Sequence, residues 1–190
     1  MSKDPKIIII TAPSGAGKTS ITRHLLGKYP QLAFSISACT RSPRSHERDG
    51  VDYYFLSLDD FKQKIQQNAF AEWEMVYEGK YYGTLKSELE RIWSMGQTPL
   101  LDIEVKGAIH LQAQYPQSTL SLFIEPPSVE ELRRRLETRG TETAESLRDR
   151  VNKASYELSF KHHFDKIIMN SVLDKACQEA DETIKNFLGL

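Results

Sequence analysis

The sequence predicts an α/β fold, a parallel sheet flanked by helices, carrying a small, mostly antiparallel insertion and a helical hairpin. Three observations predict it. Apolar, β-branched runs recur along the chain, beginning with Ile7-Ile8-Ile9-Ile10, and a strand apolar on both faces belongs in a buried parallel sheet. Apolar stripes at helical spacing lie between those runs. A glycine-rich turn joins the first run to the first helical stretch.

The elements follow in order. Lys6 to Thr11 is expected as the first strand and Lys18 to Leu26 as the first helix, stopped by Gly27. From Ser35 to Gly83 the pattern changes to aromatics, glycines, arginines and short alternating runs. That stretch is expected to hold a short helix near Asp60 to Gln67 and a strand over Ala71 to Tyr77. On the strand, Trp73, Met75 and Tyr77 share one face and Glu72 and Glu74 the other. Leu85, Leu89, Ile92 and Trp93 form a helical face that Gly96 ends. Thr98 to Ile103, Leu120 to Ile124 and Lys166 to Met169 are further buried strands. Ser128-Val129-Glu130-Glu131 is a capping box opening a helix with Val129, Leu132 and Leu136 inward. Leu147, Val151, Ala154 and Leu158 make the next stripe, and Leu173, Cys177, Ala180, Ile184 and Phe187 the last. The expected division is a core of residues 1–34, 85–127 and 151–190, an insertion of 35–84, and an arginine-rich helical lid of 128–150.

Composition narrows the function. The 190 residues are 39% hydrophobic with a net charge of −1, enough apolar material for one real core. Balanced charge argues against a nucleic-acid partner. Cys39 and Cys177, far apart, form neither a disulfide framework nor a zinc pattern. No apolar run is long enough for a signal-peptide core or a membrane span. A cytoplasmic protein with no membrane partner, a monomer or small homo-oligomer, is therefore expected.

Ala12-Pro13-Ser14-Gly15-Ala16-Gly17-Lys18-Thr19 matches the phosphate-binding pattern G-x-x-x-x-G-K-[ST] except at its first position. A strand precedes it and a helix follows. Its glycines let successive backbone N–H groups point inward at phosphate oxygens, and the helix N-terminus adds partial positive charge. Lys18 is placed to reach the β- and γ-phosphates of a nucleoside triphosphate, and Thr19 to offer a hydroxyl to Mg²⁺. Ala12 fits only if its φ stays negative. A regulatory GTPase needs Asp-x-x-Gly and Asn-Lys-x-Asp. The first is absent, and Asn152-Lys153-Ala154-Ser155 ends on the wrong residue.

The remaining motifs stand together in order: Ser37-Ala38-Cys39-Thr40-Arg41-Ser42-Pro43-Arg44, Gly50-Val51-Asp52-Tyr53-Tyr54-Phe55, Phe70-Ala71-Glu72-Trp73, Tyr81-Tyr82-Gly83-Thr84, Leu101-Asp102-Ile103-Glu104 and Arg139-Gly140-Thr141-Glu142-Thr143. This series resembles the guanylate kinase family over nearly the whole chain. The resemblance implies a P-loop core and transfer of the ATP γ-phosphoryl group to GMP, with dGMP as a further acceptor. It implies that Arg41, Arg44, Tyr53 and Tyr82 hold the GMP phosphate. Glu72 then reads guanine with Ser37 and Thr84, and Asp102 and Glu104 lie near GMP. Guanine presents adjacent N1–H and N2–H₂ donors to one carboxylate, a pair that adenine lacks. Arg135, Arg139 and Arg150 match the family's catalytic arginines, and Asn170 matches a residue near adenine. Glu104 and Lys106 depart from the usual Asp and Gln. The chain is also one residue longer than a common form between Glu72 and Tyr82, and the turn Glu78-Gly79-Lys80 is expected to absorb it. The alternative is a non-catalytic guanylate kinase-like binding module, which would lose the P-loop and lid residues that this chain keeps.

Overall fold

The computed structural model of the chain describes residues 5–138 and 144–190, without the side chains of Tyr77 and Ala144. Five strands form a parallel sheet in the order β2-β7-β1-β8-β9, flanked by helices, and four others form a mixed sheet in the order β4-β3-β6-β5. Their ranges are given with the two compact units into which the chain divides.

One unit comprises Gln31–Thr119 with the residues up to Ile7. It carries β2 (Leu32–Phe34), β3 (Ala38–Cys39), β4 (Tyr54–Phe55), α2 (Leu58–Gln66), β5 (Phe70–Tyr77), β6 (Lys80–Leu85), α3 (Lys86–Ser94), β7 (Thr98–Asp102) and α4 (Val105–Gln114). β2 pairs parallel with β7, Leu32 opposite Thr98. In the insertion β6 pairs antiparallel with both β3 and β5, while β3 and β4 run parallel. Phe61, Phe70 and Ala38 form its small core, with Tyr54 and Tyr81 packed against them. α2 starts two residues before the expected Asp60, because Ser57 caps it by accepting a hydrogen bond from the Asp60 N–H. Gly96 ends α3 as expected. It sits at φ 71°, and the N–H groups of Gly96 and Gln97 reach back to the carbonyls of Trp93 and Ile92.

The other unit comprises Ile8–Pro30 and Leu120–Leu190. It carries most of β1 (Ile7–Thr11) and β8 (Thr119–Glu125), with α1 (Lys18–Lys28), α5 (Val129–Thr138), α6 (Ala144–Leu158), β9 (Lys166–Met169) and α7 (Leu173–Leu188). All four isoleucines of β1 are fully buried, as a strand covered on both faces requires. α1 runs through Gly27 to Lys28. A Cβ at Gly27 would meet nothing within 4 Å and its φ is not positive, so the glycine does not turn the chain there. In the α7 stripe Cys177, Ala180 and Ile184 are buried, but Leu173 at its first position is 43% exposed. The capping box is half formed: the Glu131 N–H donates to Ser128 Oγ at 3.1 Å. Leu132 and Leu136 of α5 pack on Ala154, Leu147 and Val151 of α6.

Candidate functional site

The candidate residues fall into two sets, one in each unit. In the unit with β1, the glycine-rich loop joins that strand to α1. Gly15 and Gly17 have φ of 95° and 98°, values that a side chain makes costly. Ala12 is buried with ordinary φ, because Asn68 alone among the described non-glycine residues has positive φ. The substitution at the first position of the motif is therefore unstrained. Gly17 is the N-cap of α1 and supplies no side chain to its first turn, which leaves that end electropositive and suited to an anion. Lys18 opens the helix, and Thr19 follows it on an exposed position. The loop is closed by the Ala16 N–H donating to the Pro13 carbonyl at 3.1 Å.

Asn170, just past β9, is 4% exposed. Its Nδ2 donates to the Ala16 carbonyl at 2.8 Å and its backbone N–H to the Glu125 carbonyl at 2.8 Å. A Cβ on Gly17 would overlap Asn170 Nδ2, and one on Gly15 would come within 3.1 Å of Leu136. At both positions the positive φ favours glycine, and at Gly17 a side chain would also displace the Asn170 amide from the loop. Arg150 Nη1 donates to Ser14 Oγ at 2.6 Å. Arg135 is held by Glu131 Oε1 at 2.9 Å and donates through Nη2 to the Asn170 carbonyl at 2.9 Å. Hydrogen bonds from Arg134 and then Arg135 pull Glu131 down to about 2. Of the three expected arginines, Arg150 thus bonds to the phosphate loop and Arg135 bonds to Asn170, which itself bonds to the loop. Arg139 lies outside the described residues.

The second set belongs to the insertion, β7 and the start of α4. Glu72, on β5, pairs with Thr84 on β6. Thr84 Oγ1 donates to Glu72 Oε1 at 2.6 Å, and both residues are buried. Burial pushes the Glu72 carboxyl up to about 7, against the Thr84 hydrogen bonds, with the nearby Glu74 and Glu104 charges adding to the rise. The two strand faces alternate as expected, but the acidic face is the inner one: Trp73 and Met75 are 41% and 50% exposed. The β5–β6 pairing shifts register between Met75 and Tyr77, beside the Glu78-Gly79 turn. Tyr82 stands opposite Glu74.

Arg41 follows β3. Its guanidinium lies 4.7 Å from the centre of the Tyr53 ring and 5.5 Å from that of Phe55, and Tyr82 meets Tyr53 edge-on at 6.2 Å. Burial pushes both tyrosine hydroxyls up, against the pull of Arg41; at Tyr53 the Asp102 charge adds to the rise. Arg41 is not free: it donates both Nη groups to Glu47 at 2.6 and 2.7 Å, and the Arg44 N–H donates to the same carboxylate at 2.8 Å. Arg41 first, and the Arg44 N–H after it, hold Glu47 down at about 2. The Arg44 side chain is exposed. Ser37 lies beside Ile36, whose N–H donates to Glu88 Oε1 at 3.0 Å. Glu88 also accepts from the Tyr54 hydroxyl at 2.9 Å and from Arg91 at 2.8 Å. Asp102 ends β7. Glu104 is the N-cap of α4, but its side chain makes no cap bond. Glu47 and Glu88 lie in no motif. An acid six residues after Arg41, in a loop of exposed residues, is the one sequence sign of Glu47.

No group of three or more His, Cys, Asp or Glu side chains suited to a metal occurs among the described residues, and no described helix is long and apolar enough to cross a membrane. The guanylate kinase family model matches residues 4–187. A guanylate kinase of Bacteroides fragilis is 48% identical over 98% of this chain and 92% of its own length. One of Salinibacter ruber is 45% identical over 97% and 98%. The crystal structure of a guanylate kinase from Anaplasma phagocytophilum superposes with a TM-score of 0.76 at 26% identity, covering 96% of this chain and 85% of that one.

Proposed function

The chain belongs to the guanylate kinase family, and from that premise we propose that it transfers the γ-phosphoryl group of ATP to GMP through the two sets of residues described. The γ-phosphorus–oxygen bond to ADP breaks as a bond to an oxygen of the GMP phosphate forms, giving ADP and GDP. That oxygen is already ionised, so no general base is required. The observation that carries the choice of acceptor is Glu72, a buried carboxylate with one oxygen tied to the Thr84 hydroxyl. Both N1–H and N2–H₂ of guanine suit such a group, and a base without that pair leaves it unsatisfied.

In this reading Ala12 to Thr19 wrap the ATP phosphates, Lys18 reaches the β- and γ-oxygens, and Arg135, Arg139 and Arg150 offset charge on the moving group. Asn170 lies by adenine. The Arg150 bond to Ser14 supports the assignment of that arginine. Ser37, Arg41, Arg44, Tyr53, Tyr82, Asp102 and Glu104 complete the GMP side. Glu47 grips both Nη groups of Arg41 and so orients the guanidinium fork. Mg²⁺ fits a donor set of few protein ligands: Thr19 Oγ1 with phosphates and water. When bound it supplies charge neutralisation of the β- and γ-oxygens. Residues 35–84 act as the GMP-binding part, 128–150 as the lid, and the rest as the core. Two buried free cysteines fit a reducing cytoplasm, and dGMP is an expected acceptor.

Lys18→Ala tests the separation of roles. GDP formation should fall by about 10²-fold or more, since the group acts on transition-state charge, while calorimetric GMP binding stays within about twofold of the parent. Loss of GMP binding in this variant contradicts the division.

A further inference from the structure

The first turn of α4 lies against the inner face of β5. Lys106 Nζ is 3.8 Å from Glu74 Oε1, and Gln114 Nε2 donates to the Ala71 carbonyl. At Gly107, the third residue of α4, a Cβ would overlap Glu72 Oε2 and sit 3.1 Å from its carboxyl carbon. Gly107 is buried, and its φ is not positive. Backbone conformation therefore does not require glycine here, and helix propensity would favour alanine. Space for the carboxylate of Glu72 is what requires it. The colliding atom is the far end of a flexible side chain, so an added methyl displaces the carboxylate more readily than it displaces the helix.

We propose that Gly107 is a specificity-determining positioning residue: its missing side chain makes the niche in which the Glu72 carboxylate is held in register with Thr84. This rests on the reading of Glu72 as the guanine-binding group. Gly107 itself touches no substrate and acts through Glu72.

A double-mutant cycle tests it, with the KM for GMP, the KM for ATP, the GMP-to-AMP ratio of kcat/KM and the melting temperature read for each protein. Gly107→Ala should raise the KM for GMP about tenfold, the effect of spoiling one hydrogen bond to a charged group. It should narrow the GMP-to-AMP ratio and leave the KM for ATP within about twofold. The melting temperature should shift by no more than about 4 °C, the scale of a 1 kcal/mol change in a chain of this size. In the Glu72→Ala background, Gly107→Ala should add nothing to the KM for GMP. An equal rise in both backgrounds, no rise in either, or failure of Gly107→Ala to fold overturns the proposal. If Glu72→Ala alone leaves the KM for GMP unchanged, the guanine-reading assignment fails instead, and the inference falls with it.

Discussion

Glu72 concentrates the chemistry at the scale of the single residue. Burial favours its neutral form and lifts it to about 7, yet the proposed guanine recognition uses the anion, which accepts two donors at once. The KM for GMP should therefore fall as pH rises from about 6 to 8 and then level, on the titration scale of a group near 7. Glu72→Gln should lose that dependence; persistence of the same profile in the variant assigns it to another group. The sign for stability is opposite. Because the folded-state value is raised, the folded protein binds the additional proton between the ordinary carboxylate range and about 7. Stability contributed by Glu72 is therefore fully present at low pH and is lost as pH rises through that window. At ~1.4 kcal/mol per unit the full loss is about 3 kcal/mol, so Glu72→Gln should raise the melting temperature at pH 8 more than at pH 5. An equal shift at both, by calorimetry, contradicts the buried-carboxylate account.

Elements decide where such residues end up, and they differ in how plainly the sequence announces them. The strand β1 and the stripe Leu89–Ile92 of α3 were legible because burial repeats with the period of the element. The end of α1 was not. Gly27 costs a helix interior about 1 kcal/mol, and the buried Ile21, Thr22 and Leu25 hold the helix across it. The motif residues of the phosphate loop were legible because backbone geometry demands them. Glu47, Glu88 and Gly107 were not, because each is fixed by a partner from another element or loop turn, visible only once the chain is folded. Gly17 joins both kinds: its φ of 98° is local, and its crowding by Asn170 is tertiary. Gly17→Ala should abolish ATP-dependent turnover and lower stability by about 1–3 kcal/mol, the cost of strained backbone. A Gly17→Ala protein with full activity contradicts the geometry of the loop. Ser128→Ala should cost only about 1 kcal/mol in denaturant titration, by removing the cap bond to the Glu131 N–H. No measurable change assigns that bond to the surface noise of α5.

For the whole molecule, family membership fixes the class of reaction, and the proposed roles divide it between the two sets of site residues. The phosphate loop with Arg135 and Arg150 would serve many phosphoryl-transfer enzymes. In the proposed reading the insertion, with Glu72 buried against Thr84 and Arg41 held above Tyr53, is what narrows the acceptor to guanosine monophosphate. The α1–α7 packing adds a separate pH limb. Asp181 is buried there and accepts from His24 Nε2 at 3.0 Å and Lys28 Nζ at 2.5 Å. Burial opposes its ionisation, but these two partners hold its carboxyl below the ordinary range, so its contribution is present at neutral pH and is lost as pH falls through that lowered value. The central claim is tested most directly by a coupled assay of ADP release with ATP and GMP, dGMP, AMP or UMP as acceptor. Rapid ADP formation with GMP, and turnover with AMP lower by about 10²-fold or more as an unsatisfied buried carboxylate requires, is the predicted result. Equal turnover on GMP and AMP, or none on GMP, would contradict it.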